Sequence, residues 1–376
     1  MKIAIDALGI SEPGGTRSAT LNLLQPLLEI DRENSYLLLV DEIEPSLQGY
    51  ERVKQVVAPT KHRFAVRLWA QATWPTLLRR EGVDLIHHTK NLTIGWCPCP
   101  LLVTVHDLTI LVHPEIFPWV DVAYWRTIER HSLRHADRIL AVSQMTSNDI
   151  QRFYGVPSER IAVVYEGIDD AFGPVDPRRV AAVRAKYALP DAYLLHVGSI
   201  SPKKNLSTLV RAYGQVVRDG VFDGPLVLVG RSYWKEGDAA LDATVAGLAD
   251  TGRIIRTGPV PQEDLPALYA GATCFCFPSL HEGFGLVPLE AMACGAPVIA
   301  SRVGALPEVL RDTAYFVDDA RDHRAIADAL VTVLGDGEAR QASRQAGIAL
   351  GKRFSRLRAA RQTLALYQEM VQNERR

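Results

Sequence analysis

No hydrophobic run in this chain approaches the ~20 residues that a membrane-spanning helix requires. Cysteine is sparse: the five present, an odd number, do not make a disulfide framework and point to a reducing compartment. Cys97 and Cys99 flank a proline, Cys274 and Cys276 alternate along an apolar stretch, and neither pair has the partners of a zinc site, so both read as small buried hydrophobes. A charge excess is missing too, since 42 Lys+Arg stand against 43 Asp+Glu, which excludes a whole-chain footprint for nucleic acid. The first glycine-rich turn, Gly9 to Thr16, lacks the Gly-x-Gly-x-x-Gly spacing and so argues against a nicotinamide dinucleotide fingerprint. Lys2-Ile3-Ala4-Ile5-Asp6 at the start reads as a strand, which sets the expectation of no signal peptide and a cytoplasmic protein.

What is present is an alternation of apolar strand-like runs with helical patterns, the signature of parallel βαβ sheets. Strands are expected near 2–8, 36–41, 53–58, 84–88, 101–106, 138–142 and 161–165, then near 192–198, 225–230, 253–257, 274–278, 297–301 and 314–317. Gly167 to Pro177, with two glycines, two prolines and three aspartates, reads as a connector. With 376 residues to distribute, this predicts two Rossmann-like domains, 1–170 and 171–355. A helical pattern from about 356 to 376 has no strand behind it.

The most informative segment runs from Pro278 to Gly295. Glu282 precedes a Gly283-Phe284-Gly285 turn, Glu290 follows eight positions after Glu282 with seven residues between them, Pro288 suits a first helical turn and Gly295 the residue past a helix end. A strand, a glycine turn and a helix N-terminus together aim unpaired N–H groups at one spot, and that spot suits phosphate. The glutamates would repel phosphate and suit neutral hydroxyls on either side of it, so the ligand reads as a nucleotide-sugar. The framed glutamates and the closing Glu-Ala-Met-Ala-Cys-Gly resemble the donor-site signature of retaining GT-B glycosyltransferases of family four, and the resemblance extends over nearly the whole chain. It implies an α/β GT-B fold, with two Rossmann-like domains facing across a cleft and the C-terminal helix crossing back to the first. It further implies that Glu282 contacts the transferred sugar, that Leu286 and Val287 give backbone N–H groups to the diphosphate, and that Glu290 holds the ribose.

Further ligand-binding candidates sit at the carboxyl ends of strands, where open α/β sheets bind. Lys203 and Lys204, at the start of a helix after the strand ending in Gly198, suit a diphosphate as counter-charges. Many family members carry arginine where this chain has Ser199, a departure that puts one phosphate contact in doubt and for which Lys203 is the substitute. Gly14 and Gly15, in the turn Pro13-Gly14-Gly15-Thr16, allow close backbone approach and by resemblance line the cleft. His106, after the strand Leu101–Val105, matches a family histidine that faces the donor sugar, with Asp107 as a candidate to orient it.

The mechanism implied is transfer with retention, the departing nucleotide being stabilised by Lys203, Lys204 and the helix N-terminus with no metal and no cofactor. The absence of any Asp-x-Asp triplet fits this family and disfavours the metal-dependent sugar-transferase fold. A hexose, with GDP-mannose the preferred donor, would pass to a glycan or lipid-linked acceptor in polysaccharide or glycolipid synthesis. An epimerase or phosphorylase of the same fold, or a non-catalytic nucleotide-sugar-binding protein, is the alternative. Residues 52–80 hold seven basic side chains (Arg52, Lys54, Lys61, Arg63, Arg67, Arg79, Arg80) and no acidic one. They read equally as an anionic-membrane surface with Trp69, Trp74 and Phe64, peripheral at the inner face of the plasma membrane, or as an ordinary helix packing Phe64, Leu68 and Trp69 into the core.

Overall fold

The computed structural model describes residues 1–11, 14–60, 62–91, 97–231, 239–248 and 252–374. Pro13 and Lys61, and the side chains of Thr16, Arg63 and Phe64, lie outside the described residues. The chain forms two compact units, Met1–Gly167 with Arg356–Arg376, and Ile168–Ser355.

The first unit is built on seven strands: β1 (Lys2–Asp6), β2 (Ser35–Val40), β3 (Val53–Val57), β4 (Leu85–His88), β5 (Leu101–Val105), β6 (Arg138–Ala141) and β7 (Ile161–Val163). All neighbours are parallel, in the order β3-β2-β1-β4-β5-β6-β7. β4 and β5 are buried along their whole length, the expected state of parallel strands covered by helices on both faces. The helix Arg356–Glu374 belongs to this unit, burying Ala360, Leu366, Tyr367 and Val371. It is tied to the sheet where His87 Nδ1 and the Tyr367 hydroxyl meet at 2.6 Å, while His87 Nε2 meets Thr104 Oγ1 at 2.7 Å.

The helix Arg63–Glu81 corrects one residue in each reading of the basic span, while Trp69 packs against the core as the second reading expects. Ala70, Trp74 and Leu78 recur at a spacing of four and form the stripe that enters the core, so Trp74 is 1% exposed and cannot anchor a membrane. Leu68 falls on the opposite side and is 72% exposed, not packed into the core. Arg67 donates to the Tyr124 hydroxyl at 2.6 Å, Arg52 donates to the Leu28 and Asp31 carbonyls, and Lys54 pairs with Glu81 at 2.7 Å.

The second unit holds six parallel strands: β8 (Leu194–Val197), β9 (Leu226–Val229), β10 (Ile254–Gly258), β11 (Cys274–Phe277), β12 (Val298–Ser301) and β13 (Tyr315–Val317). Their order, β10-β9-β8-β11-β12-β13, reverses direction between β8 and β11. Connections from these two strands leave toward opposite sides, and a crevice opens at their carboxyl ends. Leu194, Leu209, Tyr213, Leu228, Ile299 and Leu330 form part of one core beneath it.

Candidate active site

The two loops that leave the switch point of the second unit are locked together by backbone and amide hydrogen bonds. After β8 the chain passes through Gly198 to Ser201, a single 3-10 turn at Pro202–Lys204, and Asn205 in the left-handed conformation, before the helix Leu206–Arg218. The two lysines therefore lie just ahead of the helix, at its start as the sequence reading placed them, and Asn205, in the left-handed conformation at φ 56°, separates them from it. Asn205 Nδ2 donates to the carbonyls of Pro278 (3.2 Å) and Ala320 (2.6 Å), and Leu280 N–H donates to the Lys203 carbonyl at 2.8 Å. Lysines and glutamate are thus set by adjoining backbone.

After β11 the chain runs through Ser279 to Gly285 and enters the helix Leu286–Ala293. Gly285, at φ 107°, makes the turn and leaves the helix without a side-chain cap. Pro288 has no N–H to offer, so Leu286 and Val287 carry the first donors at the positive end of the helix. Phe284 turns inward and packs edge-on against Phe354 at 5.8 Å, so only the backbone of this sequence-predicted site residue is available to a ligand. Glu282 is held from below: its carbonyl accepts from Ala305 N–H at 2.9 Å, and a Cβ placed on Gly304 would lie 2.3 Å from that carbonyl oxygen.

The charges converge. Lys204 Nζ donates to Glu282 Oε1 at 2.6 Å, Lys203 Nζ stands 3.4 Å from Oε2, and Lys204 also lies 4.4 Å from the centroid of the Phe277 ring. Both lysines thus meet the Glu282 carboxylate beside a helix N-terminus that has no side-chain cap. Such an arrangement suits an anion such as phosphate, which would compete with Glu282 for the lysines. Ser199 Oγ lies 3.5 Å from Ser201 Oγ, in the same loop.

Glu290, in the helix, is almost completely buried, and Tyr269 donates to its Oε2 at 3.3 Å. Burial pushes this carboxyl up to about 8, with the Tyr269 hydrogen bond pulling against it and Asp169 adding to it. The group is therefore protonated and neutral near pH 7, which removes the repulsion a carboxylate would exert on a nearby phosphate. Neither Tyr269 nor this protonation state was legible in the sequence. His196, in β8, is buried as well: Nδ1 donates to the Cys276 carbonyl at 2.9 Å and burial pushes the imidazole down to about 4, below its ordinary value. His196 Nε2, Ser279 Oγ and Ser301 Oγ have no hydrogen-bond partner among the described residues, and all three belong to the carboxyl-terminal ends of adjacent strands or the loop that follows. Buried polar atoms left without partners mark a place where water or ligand completes the bonding.

In the first unit, Gly14 precedes and Gly15 opens the exposed N-terminus of the helix Gly15–Ile30. His106 follows β5, but its hydrogen-bonding partner is not Asp107, whose Oδ1 accepts from Thr109 N–H at 2.9 Å. Instead Nδ1 faces Glu166 Oε1 at 3.0 Å and Nε2 faces the Thr89 carbonyl at 2.8 Å. Burial alone would lower this imidazole, yet the hydrogen bond and charge of Glu166 outweigh it and hold His106 above its ordinary value. Glu166 was missed in the sequence, although it stands just beyond β7 as His106 stands just beyond β5, and that shared position was the available signal.

Residues 23–172 match the Glycosyltransferase Family 4 domain and residues 191–336 match the Glycosyl transferases group 1 domain. O-antigen chain mannosyltransferase B of Escherichia coli is 35% identical over 289 residues, which cover 77% of this chain and 75% of that protein. The chain belongs to the family 4 glycosyltransferases. Serotype-specific mannosyltransferase WbdA of Escherichia coli is 28% identical over 298 residues, 73% of this chain, and the matched part spans only 36% of WbdA. Among solved structures, sucrose-phosphate synthase from Thermosynechococcus elongatus superposes with a TM-score of 0.82 over 98% of both chains at 24% identity, a likeness of fold. This glycosyltransferase therefore has the pair of Rossmann-like domains of the GT-B class. Among the described residues no helix is long and apolar enough to cross a membrane, and no group of three or more His, Cys, Asp or Glu side chains is arranged to hold a metal ion.

Proposed function

We propose that this glycosyltransferase is a retaining, metal-independent hexosyltransferase that moves mannose from GDP-mannose to a glycan or lipid-linked acceptor in polysaccharide or glycolipid synthesis. The observation that carries the reading is the Lys203, Lys204 and Glu282 cluster beside the uncapped N-terminus of the helix Leu286–Ala293. Mannose is favoured because the relatives O-antigen chain mannosyltransferase B and WbdA are named for it.

In this reading the diphosphate takes the lysines and the N–H groups of Leu286 and Val287, which frees Glu282 for the sugar hydroxyls. Glu290 meets the ribose as a neutral acid. The bond between the anomeric carbon and the β-phosphate oxygen breaks, the acceptor oxygen bonds that carbon from the same face, and the departing phosphate oxygen takes the acceptor's proton. Lys203, Lys204 and the helix dipole stabilise the charge that grows on the leaving group, so the protein itself supplies the neutralisation. Ser199, Gly14, Gly15 and the backbone of Gly283 to Gly285 complete the donor contacts. His106 acts from the first domain. The exposed Leu68 and neighbouring basic residues keep an anionic membrane surface among the partners, with the protein peripheral at the inner face of the plasma membrane.

Calorimetric titration with GDP-, UDP- and ADP-sugars tests the donor, and the one-bond carbon–proton coupling at the anomeric centre of the product, which separates α- from β-mannosides, tests retention. GDP-mannose should bind most tightly and the α configuration should persist. Preference for another base overturns the donor assignment, and an inverted product overturns the mechanism.

A further inference from the structure

His106 stands at the carboxyl end of β5, and both of its ring nitrogens face oxygens that can only accept. Nδ1 is 3.0 Å from Glu166 Oε1 and Nε2 is 2.8 Å from the Thr89 carbonyl. A neutral imidazole has a single N–H, so it would leave a lone pair against a lone pair at one of these contacts. Only the imidazolium satisfies both. The backbone beside the ring is fixed as well: His106 N–H donates to Asn91 Oδ1 at 3.2 Å, and Asn91 Nδ2 donates to the Asp107 carbonyl and to Glu129 Oε1.

We propose that Glu166 is a positioning residue for sugar transfer, holding His106 as a fixed imidazolium so that His106 contributes positive charge and not basicity to the reaction. The proposal rests on the nucleotide-sugar reading above, because a sugar diphosphate is the anionic substrate such a charge would serve. A histidine with both nitrogens engaged cannot take the acceptor's proton, which agrees with assigning that proton to the departing phosphate.

The surroundings favour the cation. Glu166, beyond β7, and Asp107, on the histidine's own segment, both stabilise its charge. From β4, His87 is fully buried and pushed down to about 3 by burial, with His106 among the lesser causes, so it stays neutral. Behind Asn91, Glu129 on the helix Trp119–His135 is pushed up to about 7 by burial, and Tyr154 donates to its other oxygen at 2.6 Å. One carboxylate, Glu166, therefore carries the direct pairing.

The test is a titration of the full chain labelled with nitrogen-15 histidine, from pH 5 to pH 9, with His106→Gln used to assign the ring signals. Both ring nitrogens of His106 should be protonated at pH 6.5, and the midpoint should lie above 6.5. Glu166→Gln, similar in shape, should lower that midpoint by about one pH unit or more, the usual effect of removing an adjacent opposite charge. The alkaline limb of the kcat profile should move with it, and Glu166→Asp should restore part of both. If Glu166→Gln fails to fold, judged by its amide spectrum, Glu166→Asp serves the same titration with a smaller displacement. A His106 ring that is neutral at pH 6.5, or a midpoint indifferent to Glu166, overturns the proposal. A midpoint that moves while the kcat profile does not also overturns it, since Glu166 would then serve structure alone. Absence of transfer with every donor tried, alongside the expected titration, would instead refute the transferase reading and with it the catalytic half of this proposal.

Discussion

Glu290→Gln should make the second domain progressively more stable than wild type as pH rises. In the folded domain the carboxyl sits at about 8 against an ordinary 4.5, chiefly because it is buried. Between those two values the unfolded chain releases the proton while the folded chain keeps it, so unfolding liberates a proton and stability falls with rising pH. The slope is about 1.4 kcal/mol per pH unit. Accumulated from 4.5 to about 8, it comes to an order of 4 to 5 kcal/mol, after which both states are ionised and the loss is complete. Glutamine keeps an oxygen for the Tyr269 hydroxyl and has no proton to release. Urea unfolding at pH 5, 6, 7, 8 and 9 would follow both proteins, with hydrogen exchange of the β11 and β12 amides reading the second domain separately. The stability difference should widen steadily to about pH 8 and then level. A difference independent of pH would refute the assignment of Glu290 as a buried neutral acid, whatever the absolute stabilities.

Glu282→Ala should lower kcat by roughly 10²-fold or more, about 2.7 kcal/mol, while affinity for free GDP holds or rises, because the lysines lose their internal partner; near-normal kcat, or weakened GDP binding, in calorimetry and rate assays would contradict this. Lys204→Ala should weaken GDP binding by about 1–3 kcal/mol, the range of a charge-assisted hydrogen bond, and unchanged affinity would exclude Lys204 from the phosphate site. Excess EDTA should leave the transfer rate intact, and a collapse restored by magnesium or manganese would contradict the assignment of charge neutralisation to the protein. Wild type should co-sediment with anionic but not neutral vesicles at low salt, less so in high salt and after Leu68→Glu; a chain that stays in the supernatant has no such surface.

The strands were legible because parallel strands buried on both faces appear in the sequence as short continuous apolar runs. Cys274–Phe277 and Val298–Ser301 needed no more than that to be read. Helix faces were less so: a window of basic and aromatic residues says nothing about phase, and the stripe Ala70, Trp74, Leu78 took Trp74 inward while leaving Leu68 outside. The site was legible where it is linear. Glu282, Gly285, Leu286 and Glu290 lie on one stretch, so their spacing alone framed the loop and the helix. Glu166 was hidden for the opposite reason: it follows β7, His106 follows β5, β6 lies between them in the sheet, and no spacing in the chain relates the two.

The same distinction governs what Glu282 does. Read along the chain, the lysines serve a phosphate and the glutamate serves a sugar, two separate tasks from two separate segments. Folded, the Asn205 amide and the Leu280 N–H bring those segments together, and Lys204 Nζ donates to Glu282 Oε1 at 2.6 Å. In the proposed reaction binding and chemistry share a residue pair: phosphate would compete with Glu282 for Lys204, and its success would leave the carboxylate to meet the sugar. A free nucleotide draws the lysine away without offering a sugar, whereas the complete donor supplies partners for both. Removal of Glu282 should therefore divide the two functions, sparing or strengthening the hold on phosphate while weakening transfer, which a glutamate acting independently of the lysines would not do.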